Sequence, residues 1–146
     1  MTMRSTLTIL LVSLLMLACG HQTNAETGNE AAKQAKDCVE VIYFHGKQRC
    51  VTCQAIEQHM KDVLKAQYAK QMKEGKVVLR VIDISKKENE AIAEKYEVTW
   101  SSLFLVSHKN GKEKAENLTK FAFGNARSNP DKFKEGLRQH INQALK

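Results

Sequence analysis

Two cysteines three positions apart, Cys50 and Cys53, are the side chains of this sequence with the most distinctive chemistry. They follow a β-branched and aromatic run at 38–44, which predicts a strand, and they open a segment from 50 to about 73 whose apolar residues recur at helical spacing. At the start of a helix, two thiols at this spacing lie within bridging distance. The unpaired N–H groups of the first turn and the helix dipole also favour the thiolate of Cys50.

This arrangement predicts thiol–disulfide exchange. A thiolate attacks a disulfide sulfur and a thiol does not, so we expect Cys50 to be the nucleophile. Cys53 lies one turn deeper in the helix and is expected to be less exposed, which suits a thiol that resolves the mixed disulfide. Positive charge on Lys47 and Arg49 would reinforce the thiolate. His45, at the end of the strand, either tunes Cys50 or anchors the loop.

Two other interpretations of the cysteine pair stay open. A fixed disulfide would only staple the helix, but a bridge that closes so short a loop removes little chain entropy, which favours a redox role. Alternatively, Cys50 and Cys53 hold a metal. Structural zinc takes four ligands, and Cys38 lies roughly 20 Å away along an extended strand. Two thiolates, with His45 nearby, suit a soft monovalent ion or an arsenic(III)-type thiophile better.

The elements that must position this pair alternate between strand and helix. The sequence predicts strands at 38–44, 77–83, 103–107 and 113–118, and helices at 50–73, 85–95 and 129–145. A strand–helix–strand start implies a parallel pair, and Asn110 with Gly111 predicts a hairpin between the last two strands. Ser85 and Glu88 have the spacing of a capping box. The predicted fold class is α/β, with a mixed four-stranded sheet flanked by helices.

A targeting segment precedes this domain. Residues 1–18 combine Arg4 with an apolar run of twelve residues, which is shorter than the about 20 that a spanning helix needs and therefore indicates a signal peptide. The run from Met16 to Cys19 resembles a bacterial lipobox, in which the thiol of Cys19 is acylated and anchors the protein to a membrane. Cleavage after Ala25, giving a soluble periplasmic protein, is the alternative, and a retained N-terminus is a third. Residues 19–35 are predicted to be a flexible tether and 36–146 the folded domain.

Composition narrows the function classes. The chain has 146 residues and a formal net charge of +7, with 6% aromatic residues. This length suits one compact domain and excludes a two-domain dehydrogenase. The basic residues are spread along the chain without an RNA or DNA motif, so we expect no nucleic-acid partner. We expect no cofactor, and a disulfide- or dithiol-bearing protein of the bacterial cell envelope as the partner.

From 38 to 145 the chain resembles the thioredoxin-like fold, because its strands and helices follow the same order and the segment 96–111 ends in the same kind of hairpin. The stretch 43–57 resembles bacterial thioredoxin-like proteins called ArsF-like, a name associated with a subunit of nitrophenyl-compound reduction. The resemblance implies a disulfide oxidoreductase that uses Cys50 and Cys53, or an accessory electron-transfer subunit of a partner reductase.

Three departures from thioredoxin stand out. The proline between the cysteines is absent, so the redox potential does not carry over. Tyr43 or Phe44 falls near the position of a buried acid in the first strand. No proline precedes the third strand; Ser101 or Ser102 occupies the matching region, and a trans peptide bond is expected there. Ser101 and Ser102 are expected to line the site, and Trp100, near the third strand, either lines it or packs against the domain.

Overall fold

A computed structural model describes residues 37–146 of the chain. The predicted signal peptide, the tether and the acylation site at Cys19 lie outside the described residues. Within 37–146, none of the helices combines the length and the apolarity needed to cross a membrane.

The described chain forms four strands and five helices. The strands are β1 (Cys38–His45), β2 (Val77–Asp83), β3 (Ser102–Lys109) and β4 (Lys112–Asn117). The helices are α1 (Val51–Gln67), α2 (Ala69–Lys73), α3 (Glu90–Lys95), α4 (Thr119–Asn125) and α5 (Pro130–Leu145), with a 3₁₀ turn at Lys87–Asn89 before α3.

The strands form one mixed sheet in the order β2-β1-β3-β4. β1 and β2 run parallel, as the intervening helices require, while β3 is antiparallel to both β1 and β4. The predicted fold class, α/β with a mixed four-stranded sheet flanked by helices, is therefore confirmed. The site-bearing helix α1 begins directly beyond the carboxyl end of β1, a central strand.

Alternation along β1 separates two hydrophobic cores. Val41 and Tyr43 point to one face, where they pack with buried residues of α1, α4 and α5. Ile42 and Phe44 point to the other face, where Val98 and the partly buried Tyr96 cover them. The first core is the larger of the two, and it fixes α1 against the sheet.

The first predicted helix is interrupted, contrary to the prediction of one helix to about 73. α1 ends at Gln67, and Tyr68 leaves helical geometry with φ −124° before α2 begins. The ring of Tyr68 is buried, and its hydroxyl lies 2.7 Å from the side-chain oxygen of Asn142 on α5. This tertiary contact explains the break, because a continuous helix would direct the ring elsewhere. Gly75, at φ +73°, ends α2 as predicted.

A further prediction about the helices is wrong, and one helix was not predicted. Ser85 caps no helix; its backbone N–H and its hydroxyl donate to the carboxylate of Asp83, at 3.0 and 2.6 Å. Because the Ser85 side chain is used in this turn, the capping box does not form. Nor did the sequence predict α4, whose buried Ala122 packs into the larger core together with Ala126, the residue that follows the helix.

The two turn signals of the second half are confirmed. Asn110 and Gly111 both have positive φ, 52° and 73°, and join β3 to β4 as a tight hairpin. Asn129 caps α5, its side-chain oxygen accepting the N–H of Lys132 at 3.2 Å, with Pro130 in the first turn.

Candidate functional site

Cys50 and Cys53 lie at the amino end of α1 and form a disulfide, with their Cα atoms 5.0 Å apart. Cys50 is the N-cap residue, in extended geometry, and its Sγ accepts the backbone N–H of Cys53 at 3.0 Å. The sulfur thus occupies the place of a capping oxygen. The same N–H would donate to a Cys50 thiolate after reduction.

The two sulfurs differ in accessibility. Cys50 is exposed, whereas Cys53 is only 5% exposed and lies on the buried face of α1 with Ile56 and Met60. An incoming group can therefore reach Cys50 but not Cys53. This is the asymmetry that exchange requires, since one thiol must meet the partner and the other must attack the first.

The backbone supplies positive potential to the outer sulfur. The first turn of α1 contains no acidic residue to neutralise the helix dipole. Lys47, on the exposed loop between β1 and α1, adds a cation to the same end of the domain. Both features favour an anionic sulfur at Cys50.

Arg49 lies differently from the expectation that its charge serves Cys50. Its half-buried side chain forms an ion pair with Glu57, one turn along α1 from Cys53. The guanidinium also lies over the ring of Tyr43, 5.9 Å from the ring centre. The charge is shared with a carboxylate, so Arg49 ties the loop to α1 as well as contributing to the local potential.

Tyr43 is the site residue whose role the sequence reading missed. Its ring is fully buried beneath α1, and its hydroxyl donates to the carbonyl of Cys53 at 2.9 Å. Burial raises the pKa of Tyr43, with hydrogen bonding to Ser101 and the charge of Arg49 acting in the opposite direction. The phenol therefore stays protonated and able to donate. A buried tyrosine hydroxyl usually forms a hydrogen bond, so a tyrosine at the end of a buried strand was the signal that could have indicated this contact.

The segment before β3 comes close to the cysteine pair through Tyr43. Ser101 is buried beside the Tyr43 hydroxyl, and Ser102 pairs with Phe44 at the end of β1. The Ser102 hydroxyl donates to the carbonyl of Trp100 at 3.0 Å. All peptide bonds of residues 37–146 are trans.

Trp100 is exposed at the surface of this segment. Its side chain is 59% exposed and its ring lies 5.4 Å from that of Phe123 on α4. Together with Val51, which follows Cys50 and is 65% exposed, it gives this end of the domain apolar surface. Scattered exposed apolar residues are common, but both of these flank the segments that build the site.

His45 lies at the end of β1 without a hydrogen bond to either cysteine in the described chain. Its Nδ1 is 2.9 Å from the carbonyl of Gly46, and its strand neighbour on β2 is Asp83. Of its two expected roles, this geometry matches loop anchoring.

Among the described residues, no third metal ligand lies close to Cys50 and Cys53. Among residues 37–146, the group of side chains close enough to share an ion consists of Cys38, Glu40 and His108, at the opposite end of β1. Cys50 and Cys53 belong to no such group. Their disulfide is the pairing that redox chemistry needs.

No protein-family model matches the sequence, and no curated protein matches it either. Similar solved structures include a thioredoxin from Thermus thermophilus, with 20% identity and a TM-score of 0.44, over 70% of this chain and 72% of that one. The Trx4 domain of ERdj5 has 15% identity and a TM-score of 0.49, over 75% and 81%. A structure described as a malarial protein has 24% identity and a TM-score of 0.40, over 59% and 92%.

The function proposed below depends on the residues of this chain. None of the three structures is described as ArsF-like, so that finer resemblance stays an expectation. A disulfide at the start of a helix, with one exposed and one buried sulfur, supports thiol–disulfide oxidoreduction as a class of chemistry.

Proposed function

We propose that this chain is a thiol–disulfide oxidoreductase in which Cys50 is the nucleophile and Cys53 the resolving thiol. The observation that carries the proposal is the unequal exposure of two bridged sulfurs at the N-terminus of α1. A structural bridge gains nothing from exposing one sulfur where a backbone N–H and a helix dipole stabilise its thiolate.

The proposed reaction has two exchange steps. In the reduced protein, the Cys50 thiolate attacks one sulfur of a partner's disulfide, forming a mixed disulfide and releasing the partner's other sulfur as a thiolate. Cys53 then loses its proton to solvent and attacks the Cys50 sulfur. The Cys50–Cys53 disulfide forms and the partner leaves with both thiols. Two electrons pass to the partner, and the reverse sequence oxidises a dithiol.

The proposed partner is a protein of the bacterial cell envelope that carries a disulfide or a dithiol. The exposed side chains of Val51, next to Cys50 in the chain, and of Trp100, in the segment before β3, offer apolar surface for contact with a partner. A bulky partner chain can gain binding energy from such contacts before exchange begins.

The proposal extends to export and anchoring at Cys19. Acylation of Cys19 would hold the domain at the membrane. The test replaces Cys19 by serine and compares the membrane and soluble fractions of the bacterial envelope. Loss of the membrane-bound form supports the lipid anchor. Unchanged membrane association of Cys19→Ser contradicts the anchor. If the parent protein is itself soluble and carries no lipid, the result indicates ordinary secretion.

Trapping of the mixed disulfide tests the exchange mechanism. With Cys53→Ala, the reduced protein should form a stable covalent adduct with a disulfide-bonded peptide, detected by non-reducing electrophoresis and mass spectrometry. The adduct should link to Cys50. Adding Cys50→Ser to this variant should abolish the adduct, whereas adding Cys38→Ser instead, the matched control, should leave trapping unchanged. If Cys53→Ala traps nothing while Cys50 still reacts with a small thiol reagent, the exchange mechanism is wrong.

The midpoint potential of the pair decides the direction of electron flow. A midpoint potential of about −270 mV indicates a reductant of envelope disulfides, and one of about −120 mV indicates an oxidant. Equilibration of the protein against glutathione mixtures, followed by thiol alkylation, measures it.

An accessory electron-transfer role is the finer candidate, and the exposure of Val51 and Trp100 favours it because both side chains suit contact with another protein. Activity that appears only when a neighbouring reductase is added would support this role.

Soft-metal or arsenic(III) binding by Cys50 and Cys53, without turnover, is the competing function. Stoichiometric arsenic(III) retained by the reduced protein, and lost in Cys50→Ser/Cys53→Ser, would favour it.

A further inference from the structure

A second group of potential ligands lies at the end of the sheet opposite the disulfide. The antiparallel register of β1 and β3 places Cys38 directly across from His108, and Glu40 lies two residues further along β1 on the same face. Directly opposed side chains on adjacent strands have Cβ atoms about 4.5–5.5 Å apart. The strands therefore bring a thiol, an imidazole and a carboxylate together from positions 70 residues apart in the sequence.

The ligand atoms of these three side chains already converge. The Cys38 sulfur, a Glu40 carboxylate oxygen and a His108 ring nitrogen all lie within 4.8 Å of one another. Glu40 Oε1 is 3.3 Å from His108 Nε2. Around a tetrahedral Zn²⁺, bonds of about 2.0–2.3 Å hold ligand atoms roughly 3.3–3.8 Å apart. Closing the group onto an ion needs a shift of about 1 Å, which side-chain rotation supplies.

The group is incompletely satisfied without a cation. His108 Nε2 is shielded from solvent and makes no hydrogen bond, although the Glu40 carboxylate is near it. A buried nitrogen without a partner costs free energy, and an ion bound between these atoms would remove that cost.

The surrounding charges leave the three ligand atoms available. Arg80 on β2 contacts the other carboxylate oxygen of Glu40, Oε2, at 3.3 Å. Glu113 on β4, opposite His108, lies 3.9 Å from the other ring nitrogen, Nδ1, and is itself paired with Lys95 at 2.6 Å. A carboxylate behind a ligating imidazole orients the ring and raises its basicity, as it does in many zinc sites.

We propose that Cys38, Glu40 and His108 form a site for one divalent ion of the zinc class, separate from the Cys50–Cys53 pair. One sulfur, one nitrogen and one oxygen ligand suit Zn²⁺ or Co²⁺, and leave a fourth position for water. Binding displaces the Cys38 proton to solvent, forms three metal–ligand bonds and transfers no electrons. The ion would join β1 to β3 and occupy a thiol that an oxidising compartment would otherwise leave exposed to disulfide formation.

Cobalt titration tests the site in the full chain carrying Cys19→Ser, Cys50→Ser and Cys53→Ser, which leaves Cys38 as the single thiol. One equivalent of Co²⁺ should bind and produce thiolate-to-cobalt charge-transfer absorption, and Zn²⁺ should displace it. Cys38→Ser should abolish the absorption. His108→Ala and Glu40→Gln should each weaken binding at least tenfold. Because the titrated protein lacks both cysteines of the redox pair, its result is independent of the proposed exchange reaction.

His140→Ala is the matched control, since His140 pairs with Glu116 elsewhere on the surface and should bind Co²⁺ as tightly as the parent. Far-UV circular dichroism shows that each variant is folded. The proposal is overturned if the charge-transfer band is absent, if it persists in Cys38→Ser, or if both His108→Ala and Glu40→Gln bind as the parent does.

Discussion

Tyr43 is the residue on which several parts of the redox site converge. Its hydroxyl holds the carbonyl of Cys53, its ring lies under the guanidinium of Arg49, and Ser101 is its other polar neighbour. The resolving cysteine is thereby fixed from below by β1 as well as by its own helix. The chain has no proline between Cys50 and Cys53, so this contact contributes rigidity that the intervening Val51 and Thr52 do not provide.

Tyr43→Phe should destabilise the oxidised protein by about 1 kcal/mol. The substitution keeps the buried ring and removes only the hydroxyl, and a net hydrogen bond contributes about that amount. Urea unfolding of the oxidised form measures the change in the free energy of unfolding. Tyr96→Phe is the control, because the Tyr96 hydroxyl bonds to Glu113 at the surface at 3.1 Å and its loss should cost about 0.5 kcal/mol or less. Equal costs would contradict a structural role for the buried hydroxyl.

The hydrogen bonds in the turn after β2 lead to a prediction about the pKa of Asp83. Hydrogen bonds from the Ser85 hydroxyl, and to a lesser extent from its backbone N–H, hold the pKa of Asp83 below the ordinary value of an aspartate. A carboxylate with a lowered pKa in the folded state adds stability above the unfolded pKa, and that stability is lost as the pH falls through the folded value. Ser85→Ala removes the larger cause, so the pKa of Asp83 should rise.

Carboxyl carbon NMR titration of Asp83 in the folded protein measures this rise directly. Ser128→Ala is the control, since the Ser128 hydroxyl bonds to the carbonyl of Gly124 and contacts no carboxylate. An unchanged Asp83 titration in Ser85→Ala would show that the turn does not hold the carboxylate.

Among the helices and strands, short sequence motifs correctly predicted the turns and helix ends that depend only on neighbouring residues. Asn110 with Gly111 specified the hairpin, and Asn129 with Pro130 specified the start of α5, because each fixes backbone dihedrals or a capping bond by itself. The capping box at Ser85 failed because Asp83, two residues earlier, competes for the same hydroxyl.

The elements that the sequence did not predict depend on distant partners. α4 is short, and its alternating Phe121 and Phe123 resemble a strand as much as a helix. It is helical because Ala122 and Ala126 pack into the larger core. The break at Tyr68 has the same origin, since its hydroxyl reaches α5. Contacts of this kind are set by tertiary packing, which overrides local propensity.

Alanine substitutions at two helical glycines separate the effect of helix propensity on stability from the effect of side-chain packing. A Cβ at Gly124 on α4 would meet nothing within 4 Å, so Gly124→Ala should stabilise the protein by about 0.5 kcal/mol through reduced chain entropy. A Cβ at Gly136 on α5 would lie 2.5 Å from the ring of Phe121, which stacks on Phe133 and cannot swing away freely. Gly136→Ala should therefore destabilise it by about 1–3 kcal/mol.

Thermal or urea unfolding of both alanine variants checks the opposite signs. Stabilisation of both would mean that helix propensity alone governs these positions and that α4 and α5 do not approach as closely as Gly136 permits.

At the scale of the whole molecule, β1 connects two chemically different ends. Its carboxyl end leads to the disulfide, and its amino end carries Cys38 within the proposed metal site. The redox pair was predictable because its residues are neighbours in sequence. The Cys38–His108 pair was not, since it exists only through the register of β1 against β3, which no local pattern specifies. The same strand thus separates the two thiol chemistries by roughly 20 Å, at about 3.3 Å per residue.

A fold that serves a reversible disulfide must not depend on that disulfide. Cys50→Ser/Cys53→Ser should therefore remain folded, with unchanged far-UV circular dichroism and a loss of about 1–2 kcal/mol in urea unfolding, because the bridge closes a very short loop. Leu137→Ala, at a fully buried position between α5 and the sheet, should cost more, about 3–5 kcal/mol. Reduction of the wild-type protein should match the serine variant. If instead reduction unfolds the domain while Leu137→Ala is tolerated, the disulfide is a structural staple and the two sulfurs cannot cycle between oxidation states in a folded protein.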